Sequence, residues 1–182
     1  MPLQATCGSS HGELRGIDRL TAPWWFAGTG GALVRRFKLD GDVAAGRLIV
    51  RAMTNAWLQA GSQGWRRAEL VSVPLHRHRL RERGFDQTDW LAAEVGRRLG
   101  LGFQRGVLQR ARPTLPQGDP RVTSRSSNVA DAFVVRNPES VRGRAVVLLD
   151  DVVTSGATVR ECGRVLREAG AVRVAVLVAC RS

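Results

Sequence analysis

The sequence predicts an α/β fold: a central, mainly parallel sheet flanked by helices, with a small N-terminal cap. Three observations predict it. Leu70-Val71-Ser72-Val73 and Val146-Val147-Leu148-Leu149 are short apolar runs rich in Val and Leu, the pattern of strands covered on both faces. Each is followed by a polar turn and then by a segment of helical period, the βα order that builds parallel sheets. A third apolar run, Val172 to Ala179, completes the second unit. With 182 residues the chain is long enough for one domain with a real core.

In chain order, residues 1–28 are mixed, carry the pair Trp24-Trp25 and show no sustained period, so they read as an N-terminal tail or cap. Residues 29–182 form the main domain. From Gly30 to Leu39 the residues Leu33, Val34 and Phe37 have helical spacing. Asp40-Gly41-Asp42 is a turn that places Asp42 as N-cap of a second helix reaching about Ala60, with Val43, Leu48, Ala52, Met53, Ala56 and Trp57 as its apolar set. Pro74, which has no N–H, ends the strand at Val73. An arginine-rich loop over residues 75–85 leads to Asp86, the expected cap of a helix to about Leu99 with Leu91, Ala92, Val95 and Leu99 on one side. The segment Arg110 to Asn128 holds three prolines, lacks periodicity and exceeds an ordinary connection, which favours a functional lid. The last helix spans about Thr158 to Ala169, with Val159, Cys162, Val165 and Leu166 inward, and Gly170 closes it.

The net charge is +12 at pH 7, and of the 28 basic residues all but Lys38 are arginine. Arginine binds phosphate and carboxylate through a planar fork, so the excess points to anionic ligands, either nucleic acid or phosphate-rich nucleotides. A high-GC coding bias is an alternative source of the Arg-for-Lys choice, though not of the net charge. Cys7, Cys162 and Cys180 have no CxxC spacing and read as reduced thiols, with Cys162 and Cys180 in the core. No run of about 18 apolar residues and no N-terminal signal pattern occurs, which predicts a cytoplasmic protein without membrane contact.

The chemistry concentrates at Val146 to Thr158. Asp150 and Asp151 stand at the carboxyl end of a buried strand, where open α/β sheets bind ligands. Thr154, Ser155, Gly156, Ala157 and Thr158 follow, offering hydroxyls and backbone amides ahead of a helix N-terminus that attracts phosphate. No Gly-x-x-x-x-Gly-Lys-Ser/Thr occurs, so this is not a nucleoside-triphosphate loop.

Asp150 to Thr158 after a buried strand resembles the phosphoribosyl-pyrophosphate signature of type I phosphoribosyltransferases. Val73-Pro74-Leu75-His76, Arg81-Glu82-Arg83-Gly84-Phe85-Asp86-Gln87, and Arg110-Ala111-Arg112-Pro113-Thr114 with Gln117, Arg121, Arg125, Asn128 and Ala132-Phe133 resemble the ComF family associated with DNA uptake and competence. The similarity runs from about Leu33 to the C-terminus. It implies the type I phosphoribosyltransferase fold with a small N-terminal hood, here Phe26 to Leu39, and a protein that binds phosphoribosyl pyrophosphate with magnesium (Mg2+). Family members often begin with a four-cysteine zinc module; only Cys7 stands near the start here, so that module is not intact.

The resemblance assigns Asp150 and Asp151 to the ribose 2- and 3-hydroxyls and Thr154 to Thr158 to the 5-phosphate. Carboxylates accept hydrogen bonds from a diol and favour a sugar ring that becomes oxocarbenium-like, so the two acids are also the candidate catalytic residues. The pyrophosphate falls to Pro74, Leu75, His76 and Arg77, helped by Arg81 or Arg83, with Mg2+ carried mainly by the substrate. Arg112, Gln117, Arg121 and Arg125 belong to the expected flexible loop. Purine-salvage enzymes for 6-oxopurines generally have Asp where Thr154 stands, which argues against that acceptor class. Trp90, Trp24 and Trp25 are expected to pack, although an exposed Trp24 or Trp25 would be able to stack a base. The alternative reading is a DNA-uptake accessory that binds single-stranded DNA or a helicase-like partner. A homo-oligomer is compatible with either.

Overall fold

The computed structural model describes residues 14–75, 86–111 and 129–182. In chain order these form β1 (Arg19–Thr21), β2 (Trp24–Trp25), α1 (Gly28–Asp40), α2 (Val43–Gln59), β3 (Glu69–Ser72), α3 (Gln87–Leu99), β4 (Gly102–Phe103), β5 (Leu108–Arg110), β6 (Phe133–Val135), β7 (Ala145–Val153), α4 (Ala157–Glu168) and β8 (Arg173–Arg181). The main sheet has the order β1-β8-β7-β3-β4, with β2 also on β8, and every described pairing within it is parallel.

Two local signals act where the sequence places them. The Asp42 carboxylate accepts from the Ala45 N–H at 3.0 Å and starts α2; Asp86 accepts from Thr88 and Asp89 N–H at 2.9 and 3.1 Å and starts α3. In α2 the apolar stripe is rotated from the expected one. Ile49, Val50, Met53 and Trp57 are buried, whereas Val43 and Leu48 lie exposed on the outer side. Ile49 and Val50 occupy the inward positions at i−4 and i−3 from Met53, and Leu48 falls outside that stripe.

Residues 19–25, inside the expected tail or cap, supply two strands of the main sheet. β1 pairs Arg19–Thr21 with Ala175–Leu177, and β2 pairs Trp24–Trp25 with Cys180–Arg181. Residues 14–18 then run along α4. A Cβ added at Gly163 would come within 2.5 Å of Ile17 Cδ1, and Arg167 bonds both the Gly16 carbonyl and Asp18.

The sheet separates two cores. Alternation along β7 sends Val146 and Leu148 toward α4, Val159, Cys162 and Leu166. Val147 and Leu149 face Phe37 of α1, Met53 and Trp57 of α2, and Leu91 and Val95 of α3. Helices thus cover both faces, and the uninterrupted apolar run from Val146 to Leu149 is the sequence trace of that double cover.

Connections leave β3 and β7 in opposite directions. From β3 the chain passes through α3 to β4 on one side; from β7 it passes through α4 to β8 on the other. The carboxyl ends of these adjacent strands form a topological switch point, where open α/β sheets take their ligands. Beside it, β5 and β6 form a separate antiparallel ribbon with Arg110 opposite Phe133.

Candidate sugar-phosphate site

The switch point is where the acid pair lies. Ser72 is opposite Leu149, and the Val73 N–H donates to the Leu149 carbonyl at 2.9 Å, so Pro74 and Leu75 leave β3 next to Asp150. The pleat directs the two acids to different faces. Asp150 continues the Val146–Leu148 row toward α4. Asp151 continues the Val147–Leu149 row toward α1, where its Oδ2 lies 2.7 Å from the Lys38 ammonium. Both side chains of that pair are mostly buried. Lys38 is the one lysine of the chain, and its own carbonyl accepts from the Gln87 amide at 3.3 Å.

Asp150 accepts the Asp151 N–H at 2.8 Å. Its carboxyl is pushed up to about 7 from an ordinary 3.8, first by burial and then by the Asp151 charge, with Lys38, the Asp151 N–H and Arg110 opposing the rise. Arg110 is a cation that acts on this acid. It donates from Nε to the Pro74 carbonyl at 3.1 Å, and its guanidinium sits 4.7 Å from the centre of the Phe133 ring. One arginine thereby joins the turn after β3, the ribbon β5–β6 and the field around Asp150.

Beyond β7 the chain turns through Thr154, Ser155 and Gly156 into α4. Gly156 has φ +73 and stands at the N-cap, with no side chain of its own to cap the helix; the Ala157 N–H donates to Ser155 Oγ at 3.4 Å. The Ala157 amide is thus held by one long bond, and a helix start with no further side-chain cap is suited to an external acceptor, as at phosphate-binding helix starts. Thr154 and Thr158 are half-buried and Ser155 is exposed, so hydroxyls flank this opening. Leu14 closes its outer wall: a Cβ at Gly156 would come within 2.7 Å of Leu14 Cδ2.

Of the expected pyrophosphate turn, Pro74 and Leu75 are described. Pro74 has no N–H, and the Leu75 N–H donates to the Asp86 carboxylate, so neither amide is free in this state. His76, Arg77, Arg81, Arg83, Arg112, Gln117, Arg121 and Arg125 lie outside the described residues, as does Cys7. Cys162 and Cys180 are buried as the sequence predicts, and burial raises both thiols, Cys180 to about 11. Trp90 packs against Phe37 with ring centres 5.2 Å apart, whereas Trp25 is half exposed, with the Arg181 guanidinium 5.9 Å from its ring. A cavity of about 510 Å³ lined by Arg15, Val129 and Arg160 lies on the outer side of α4 and shares Ala157 with the turn.

Sequence reasoning missed Lys38, Gln87 and Arg110 as members of this constellation. Gln87 and Arg110 belong to recognisable motifs, but their contacts are made across the fold. For Lys38 the one available signal was that it is the single lysine among so many arginines.

Residues 90–182, which hold most of α3, the acid strand and the turn after it, match the phosphoribosyl transferase domain model. The chain belongs to that family. It is 34% identical over 149 residues to the DNA utilization protein YhgH of Salmonella typhimurium, covering 81% of this chain and 64% of that protein. Competence protein F of Haemophilus influenzae is 27% identical over 147 residues, covering 79% and 64%. The chain therefore spans just under two thirds of the length of these curated relatives. Together with the domain match they make it a ComF-family, phosphoribosyltransferase-like protein of α/β fold. Among solved structures, the allosteric regulatory enzyme of purine biosynthesis aligns at 22% identity and a TM-score of 0.48, over 73% of this chain and 25% of that one. Among the described residues no helix is long and apolar enough to cross a membrane.

Proposed function

We propose that this phosphoribosyltransferase-like protein binds phosphoribosyl pyrophosphate with Mg2+ and transfers ribose 5-phosphate to an acceptor nucleophile. In that reaction the bond from the anomeric carbon to the pyrophosphate oxygen breaks, and its electron pair leaves with pyrophosphate. A bond from the acceptor forms at the same carbon, and the acceptor gives up its proton. One observation carries the reading: an acid pair and an uncapped phosphate turn lie in sequence at the carboxyl end of the central strand, beside the turn after β3.

Asp150 and Asp151 would accept the ribose hydroxyls, and their charge would favour the oxocarbenium character of the transition state. The amides of Gly156 to Thr158 and the hydroxyls of Thr154, Ser155 and Thr158 would hold the 5-phosphate. Mg2+ prefers phosphate oxygens and water and takes few protein ligands, so it would be carried mainly by the substrate. Bound in that way, Mg2+ would neutralise charge on the departing pyrophosphate. Pro74 and Leu75 would border the leaving group, after the Leu75 amide is released from Asp86.

Calorimetry with phosphoribosyl pyrophosphate and Mg2+ tests the site: wild type binds, and the double change Asp150→Ala, Asp151→Ala removes binding. Wild type without binding would defeat the reading. Pyrophosphate release across a panel of bases and amines would identify the acceptor. A second reading, an accessory that contacts single-stranded DNA in the cytoplasm, is favoured by the net charge of +12 and by the names of the relatives.

A further inference from the structure

The sugar-phosphate reading uses Asp151 but leaves its partner Lys38 without a role. Lys38 stands near the end of α1, on the element that borders the acid pair from the side opposite α4, and its ammonium contacts Asp151 Oδ2. Its backbone is held from a third direction. Gln87, only 1% exposed at the start of α3, donates to the Lys38 carbonyl. Three distant segments thus converge to bring the single lysine to one carboxylate, with its side chain 21% exposed against 63% for Arg36 on the same helix. An ammonium ion has three donors and no acceptor, so the contact with one carboxylate oxygen leaves two donors and the other oxygen uncommitted.

We propose that Lys38 is a positioning residue of the sugar-phosphate site: it fixes the Asp151 carboxylate through Oδ2, so that the other oxygen faces a ribose hydroxyl. The inference rests on the phosphoribosyl-pyrophosphate reading for its ligand and not for its geometry. Among the described residues, the charged and titratable groups that act on the acids are Lys38 from α1, Arg110 from β5, Cys162 from α4 and Cys180 from β8. Lys38 is in direct contact with Asp151, 2.7 Å from its Oδ2. Removing it takes away positive charge that holds the Asp150 carboxyl down, so the effect extends from one acid to the other.

The test uses the full chain with Lys38→Met and Lys38→Arg. Calorimetry with phosphoribosyl pyrophosphate and Mg2+ at pH 7 should show binding about tenfold weaker or more for Lys38→Met, the scale of a lost charge-assisted hydrogen bond, and recovery to within about threefold of wild type for Lys38→Arg. In the ligand-free protein, carboxyl-carbon NMR should show Asp150 titrating at higher pH in Lys38→Met than in wild type, and near wild type in Lys38→Arg. Lys38→Met that binds like wild type, or leaves the Asp150 titration in place, overturns the proposal. If wild type itself binds no phosphoribosyl pyrophosphate, the functional reading fails and the titration alone decides the role of Lys38.

Discussion

Asp150 is held by an environment that disfavours its charge. A carboxyl raised to about 7 when folded and near 3.8 when unfolded is protonated in both states at low pH. As pH rises the unfolded chain ionises first, so the folded state loses relative stability from about pH 4 to about pH 7 and then levels off. Asp150→Asn removes that cost. Its melting temperature should exceed that of wild type at pH 8, with the difference closing at pH 4; thermal unfolding across that range checks this, and a constant difference would show that the cost lies elsewhere. The two acids were legible from sequence because strand, acids and turn are contiguous. Lys38 was not, because it meets Asp151 from 113 positions away, and no local pattern encodes such a contact.

Elements differ in the same respect. The caps of α2 and α3 are written within three residues of where they act, and both Asp42 and Asp86 could be read directly. β1 and β2 are three and two residues long and owe their existence to pairing with β8, more than 150 positions later, so no periodicity announced them. At the turn into α4, Gly156 combines left-handed backbone with contact from Leu14. Gly156→Ala should therefore cost about 1 to 2 kcal/mol from the backbone alone, and the added methyl should push Leu14 off the turn. Urea denaturation measures the first effect, and weaker binding of phosphoribosyl pyrophosphate would report the second. An unchanged midpoint would mean that this turn relaxes without strain.

For the whole molecule, charge and topology lead to separate expectations. If the surface contacts single-stranded DNA directly, phosphate contacts should dominate, and affinity should fall by about 10³ to 10⁵ between 50 and 200 mM salt for six to ten such contacts. Fluorescence anisotropy with a labelled oligonucleotide at several salt concentrations measures this; a flat response would remove the direct-contact version. Topology concerns the acids instead. The α/β class could be read because apolar runs and helices alternate, yet the order of the strands could not, since it depends on which way each crossover turns.

β7 is a partition wall as well as the strand that carries the acids. Asp150 takes its footing from the side of α4 and the β5–β6 ribbon, Asp151 from the side of α1, α2 and α3. The two jaws of the proposed ribose grip are therefore mounted on opposite sides of the wall. A packing defect behind one jaw can loosen its mount while the mount of its neighbour, the next residue along the chain, stays packed.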